Sequence, residues 1–223
     1  MSRYRSFFWP YMPPWAMSNH MTPEFIRDAL DIVAARDDDL RDALGQFGYP
    51  APRNREPGFP TLINIIIGQQ VSTHAAAAIR NRLEAAVNPL TPETFLATNN
   101  EALRGVGLSK RKIEYGRGLA EAVIDGTLDT SRLAELDDET VATAITGIRG
   151  LGKWSADIYM LFALGRADAW PLDDLAIQVG VQRLKRMRQR PNRKRMETVA
   201  RRWQPYRGVV ALFLWHYYKG APT

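Results

Sequence analysis

The 223-residue chain contains no cysteine. That absence excludes disulfides, thiol catalysis, cysteine-ligated zinc and iron–sulfur clusters. No run of about 18 apolar residues occurs, so nothing reads as a membrane span. Stretches of alternating apolar and polar residues, which would mark half-buried strands, are missing over any useful length, so no substantial sheet is expected. Histidine is scarce. His20, His74 and His216 make up the whole set, and none has an obvious partner pattern. The N-terminus, MSRYRSFFWPYMPPWAMSNHM, is interrupted by Pro10, Pro13 and Pro14 and does not read as a signal peptide.

What is present suits a soluble protein with a real core: 45% hydrophobic and 24% charged residues. The formal net charge is +6, which leans toward an acidic partner. The excess is local. Residues 183–195, RLKRMRQRPNRKR, hold eight Lys/Arg and no acid, and without them the rest of the chain would sum to −2. Such a segment is either a phosphate-facing patch or a solvated face around the turn at Pro191–Asn192. The length fits one domain, expected over 21–223, after an irregular segment over 1–20.

Helical signals run along the chain. Thr22 caps a helix with Pro23 as its first residue. A short helix is expected over Asp38–Leu44, then a loop of prolines and charges, PAPRNREPGFP, over 50–60. Residues 61–86, TLINIIIGQQVSTHAAAAIRNRLEAA, read as one long apolar helix, since packing is expected to override the strand-like propensity of Ile65–Ile67. TPETF at 91–95 marks another helix start. A four-turn helix is expected to end near Gly126, and a short one covers 137–146. Further helices are expected at 153–165, in DDLAIQVGVQRLKRM, and at 207–218. GVGLSKRKIEYG (105–116) faintly echoes GIRGLGKWSADIY in layout.

The stretch GIRGLGKWSA, 147–156, places Gly147, Gly150 and Gly152 just before a helix. Glycine permits φ > 0 and close approach of a ligand to the backbone. The free N–H groups and positive dipole end of the following helix point back into that turn. A phosphodiester held there would meet the N–H groups of Gly150 and Gly152, the Ser155 hydroxyl and the charge of Lys153. An ordinary helix–helix turn with packing glycines is the competing explanation. Both flanks are helical, which argues against a Rossmann unit. Downstream, AWPLDDLAIQ (169–178) opens a helix with an aspartate pair. One aspartate serves as a cap; the other is a carboxylate beside the hairpin, useful if a substrate develops positive charge.

The combination GIRGLGKWSADIYMLFALGRADAWPLDDLAIQ resembles the helix-hairpin-helix DNA glycosylases. With IIIGQQVSTHAAAAI upstream and RWQPYRGVVALFLWHYY downstream, it is similar to the 3-methyladenine DNA glycosylase II branch, over roughly 60–218. The resemblance implies an all-α, two-lobed helical bundle in its compact form. It places the family's catalytic aspartate on Asp174 and its hairpin glycines on Gly150 and Gly152; Arg149 stands where the family has a proline. Bifunctional members carry a catalytic lysine where this chain has Trp154. Lys153 is one position early, about 100° around a helix, so a monofunctional enzyme without strand cleavage is implied. Gln70, with Gln69 beside it, matches the side chain that fills the gap left by an extruded nucleotide. Trp154 and Trp215 match aromatic positions of the base pocket, and Tyr159 is a further candidate. An aromatic face suits a cationic alkylated purine. Alternatives for these residues are a polar pair at a helix kink and core tryptophans.

The implied partner is double-stranded DNA with damaged bases. The chain is expected to act as a cytoplasmic monomer, nucleoid-associated if bacterial, without cofactor, catalytic metal or membrane. Competing expectations are a glycosylase for uracil, mismatched adenine or oxidised guanine, and a DNA-binding protein without chemistry.

Overall fold

The computed structural model describes residues 21–220; the expectation for 1–20 falls outside them. The described residues contain twelve α-helices and no strand. They are α1 (Pro23–Ala34), α2 (Asp38–Phe47), α3 (Phe59–Gly68), α4 (Thr73–Ala86), α5 (Pro92–Ala97), α6 (Asn100–Gly105), α7 (Lys110–Ile124), α8 (Asp138–Thr146), α9 (Lys153–Phe162), α10 (Leu175–Leu184), α11 (Arg193–Ala200) and α12 (Arg207–Gly220). The all-α expectation is met. No helix among the described residues is long and apolar enough to cross a membrane.

Side-chain capping explains most helix starts. Thr22, Asp37, Ser72, Asn99, Ser109, Asp137, Asp174 and Asn192 each accept a hydrogen bond from a backbone N–H of the first turn, which satisfies a donor the helix leaves orphaned. The helices sort into two packed groups. Helices α3 to α9 form one, with α3 lying against α4, α7 and α9. Helices α1, α2, α10 and α12 form the other. Each buries apolar faces: Leu62, Ile63 and Ile66 from α3, and Val209, Val210, Phe213 and Leu214 from α12.

Helix α2 runs three residues past its expected end and α9 stops three residues short of its own, and two larger differences stand out. The helix expected over 61–86 is broken. Gln69 is extended (φ −65°, ψ 129°), Gln70 is left-handed (φ 56°), and Ser72 starts α4 afresh. The Ser72 cap was the available signal. In the basic segment, α11 begins where a solvated turn was one of the two readings, because Asn192 caps it and it buries Met196, Val199 and Ala200.

Candidate nucleic-acid interface and active site

The two groups of helices meet along a cleft of about 910 Å³. Its wall includes Gln69, Gln70, Trp154 and Ser155 from the first group and Asp174, Leu175 and Trp215 from the second. Asp174 is at its centre chemically. Its Oδ1 caps α10 by accepting from Ile177 N–H at 3.0 Å. The same oxygen accepts from Trp215 Nε1–H at 3.1 Å, and Oδ2 accepts from Trp154 Nε1–H at 3.0 Å. The cap and the candidate catalytic carboxylate are therefore one residue, where the sequence suggested a division of labour between the pair. Asp173 is instead exposed and ion-paired to Arg193 at 3.0 Å. Both tryptophans are half-buried, each with its polar edge on Asp174. Each lines the cleft while also packing on the core.

Tyr159 does not belong to this wall, contrary to expectation. It is fully buried, and its hydroxyl accepts from Gly58 N–H at 2.9 Å. On α9 it lies five residues beyond Trp154, which turns it away from the cleft-facing side.

The hairpin is built as its glycines suggest. Gly150 sits at φ 94°, and a Cβ there would run into the Tyr115 ring. Gly152 precedes α9 and is exposed, so the α9 N-terminus opens toward the cleft. Two polar groups expected at a phosphate, Lys153 and Ser155, are engaged elsewhere. Lys153 is ion-paired to Asp157 one turn along α9. Ser155 is 1% exposed, and its Oγ receives Gln69 Nε2–H at 3.3 Å. Gln69 also donates to Gly150 O at 2.8 Å, tying the α3–α4 tip to the hairpin. Arg149 donates to Glu114 at 2.5 Å. Gln70 is exposed at the tip.

Asp157 is 2% exposed overall, and burial, opposed by Lys153, pushes its carboxyl up to about 6. Two residues of the site were not singled out in the sequence. Lys112 donates to Ile67 O and Gln69 O at 2.7 and 2.9 Å and so holds the end of α3. Arg53 lines the cleft with its guanidinium 5.8 Å from the Trp215 ring centroid. Neither has a local pattern that separates it from solvated lysines and arginines. His216 bonds Phe47 O at 2.8 Å and His74 is exposed. Among the described residues no cluster of three or more His/Asp/Glu is placed to hold a metal ion.

The basic segment divides. Lys185 is ion-paired at 2.5 Å to buried Asp37 and at 2.9 Å to Asp39, which makes it a structural residue. Arg193 holds Asp173. Arg188, Arg190, Lys194 and Arg195 are exposed.

Comparison with known proteins points the same way. A family model described as HhH-GPD superfamily base excision DNA repair protein matches residues 63–205. DNA-3-methyladenine glycosylase 1 of Schizosaccharomyces pombe is 34% identical over 165 residues, covering 72% of each chain. The structure of a 3-methyladenine DNA glycosylase from the same yeast, in complex with abasic DNA, superposes with a TM-score of 0.82 at 30% identity, covering 87% of this chain and 98% of the other. A DNA-3-methyladenine glycosidase from Bacillus halodurans gives a TM-score of 0.73 at 33% identity, covering 86% and 89%.

Proposed function

The chain belongs to the HhH-GPD superfamily of base excision DNA repair proteins, and on that premise we propose that it is a monofunctional DNA glycosylase that excises alkylated purines of the 3-methyladenine and 7-methylguanine type. The observation that carries this reading is Asp174, a carboxylate held by two tryptophan N–H groups on the wall of an open cleft. Duplex DNA is bound through its phosphates, with the α9 N-terminus and the hairpin backbone as one anchor. The damaged nucleotide turns out of the stack into the cleft while Gln70 takes its place. As the glycosidic bond breaks, positive charge develops on the sugar. Asp174 stabilises that charge once bound DNA has displaced water from the cleft, where electrostatic effects become large.

An alkylated base that carries a positive charge departs neutral, so no general acid is required. Trp154 stands at the position of the lysine that lyase members use, and no lysine lines the cleft among the described residues. That supports hydrolysis without strand cleavage. The protein is proposed to work as a monomer where genomic DNA lies.

Methylated duplex DNA incubated with the protein tests the reading, with released bases separated by chromatography. Wild type is expected to release 3-methyladenine or 7-methylguanine. Asp174→Asn is expected to lose release by on the order of 10²-fold or more while still binding DNA. DNA binding without release by wild type would instead favour a glycosylase for uracil, mismatched adenine or oxidised guanine, tested with a substrate panel, and, if that panel also fails, the non-catalytic alternative.

A further inference from the structure

Helix α9 buries one charged residue, Asp157, for which base release has no use. Its side chain is 3% exposed, whereas that of its ion-pair partner Lys153 is 52% exposed. Two further charges bear on it, Asp173 ahead of α10 and Arg207 at the start of α12. Both are committed elsewhere: Asp173 to Arg193 at 3.0 Å, and Arg207 to Asp168 at 2.7 and 2.9 Å. Lys153 is thus the cation that Asp157 depends on among the described residues. Even with Lys153 in place, burial holds the Asp157 carboxyl up at about 6, and Asp173 acts in the same direction.

Lys153 also stands where DNA is anchored. It is the first residue of α9, directly after Gly152, at the end whose free N–H groups attract a phosphate. Asp157 lies four residues along the helix, about 6 Å inward from that end. The ammonium group rides on a flexible four-carbon stem, so it can turn from one anion to the other. Turning outward, it gains a charge-assisted hydrogen bond to phosphate. Asp157 is then a buried carboxylate without its ion pair, beside a newly arrived negative charge. A buried carboxylate in that position neutralises by taking a proton.

We infer that Lys153 is a phosphate ligand held in reserve: on DNA binding it leaves Asp157 for a backbone phosphate at the hairpin, and Asp157 takes up a proton from solvent. The inference rests on the hairpin anchoring DNA, as proposed above. The bound protein holds one proton more than the free protein, so affinity rises as pH falls. The rise levels off below about 6, where Asp157 is already protonated in the free protein.

Affinity for a duplex holding a tetrahydrofuran abasic-site analogue, measured from about pH 5.5 to about pH 8 in wild type, Asp157→Asn and Lys153→Met, tests this coupling. Wild type binds about tenfold more tightly at about pH 6 than at about pH 8. Asp157→Asn frees Lys153 at every pH. It loses most of that gain and binds more tightly than wild type at the alkaline end. Lys153→Met loses the gain too, and at about pH 6 its slope of log affinity against log salt is shallower than that of wild type by roughly one. Either variant with a pH dependence as steep as that of wild type overturns the inference, as does an unchanged salt slope in Lys153→Met. Release of methylated bases alongside those results leaves the glycosylase reading standing. Failure of wild type to bind the duplex at any pH brings down both.

Discussion

Asp174 accepts three N–H groups on two oxygens, so it is positioned from α9, α10 and α12 at once. Two of the three donors are indoles. Trp154→Phe and Trp215→Phe keep an aromatic wall and delete one donor each. Each is expected to slow single-turnover base release by about tenfold, roughly the value of one hydrogen bond to a charged group. DNA affinity falling in place of the rate would assign the indoles to binding. Asp157 gives a second residue-scale prediction. Its folded value of about 6 lies above the ordinary 3.8. The native state therefore keeps a proton that the unfolded chain releases, and that stability is present at low pH and lost as pH rises through about 6. Asp157→Asn cannot ionise. It is expected to raise Tm relative to wild type more at about pH 7.5 than at about pH 5, and an equal shift at both would refute the assignment. Asp174 and both tryptophans were legible as individual residues. That the tryptophans hold the aspartate was not, because 20 and 41 residues separate them from it.

At the scale of elements, the α3–α4 tip is the feature that the apolar pattern hides. Seven of the ten residues in α3 are buried, so periodicity alone extends the helix. Hydrogen bonds to residues distant in sequence hold its end instead. The carbonyls of Ile67 and Gln69 are taken by Lys112 from α7, and the Gln69 side chain reaches Gly150. A non-glycine residue in the left-handed region persists only when its surroundings hold it there. Lys112→Met is expected to leave DNA affinity near wild type but reduce base flipping several-fold, as read by the fluorescence of a 2-aminopurine opposite or beside the lesion. Unchanged flipping would mean that the tip holds itself. The hairpin shows the same reasoning with a different outcome. Its three glycines were visible as a turn, and the packing of Tyr115 beneath Gly150 explains why that position excludes a side chain.

Across the whole molecule, the cleft exists only because two groups of helices face each other. One presents the α3–α4 tip and the hairpin end of α9; the other presents Asp174 and Trp215. The exposed charges of the basic segment bear on how DNA crosses this face. Arg193 reaches Asp173, next to Asp174, which places the start of α11 beside the cleft. Replacing Arg188, Arg190 and Arg195 together by Gln is expected to weaken non-specific duplex binding. It should also reduce the slope of log affinity against log salt by roughly one for each DNA phosphate no longer neutralised. An unaltered slope would make these residues a solvated face. The sequence by itself determined the helical class, most caps, the hairpin and the aspartate after it, because capping, glycine turns and apolar spacing act over a few residues and are written locally. Only the tertiary structure decided that Tyr159 is core, that Ser155 and Lys153 are engaged within the protein, that Lys185 is a structural cation, and that Arg53 lies over Trp215. Those outcomes depend on which distant side chain arrives within hydrogen-bond or ring distance, and no short-range pattern encodes it.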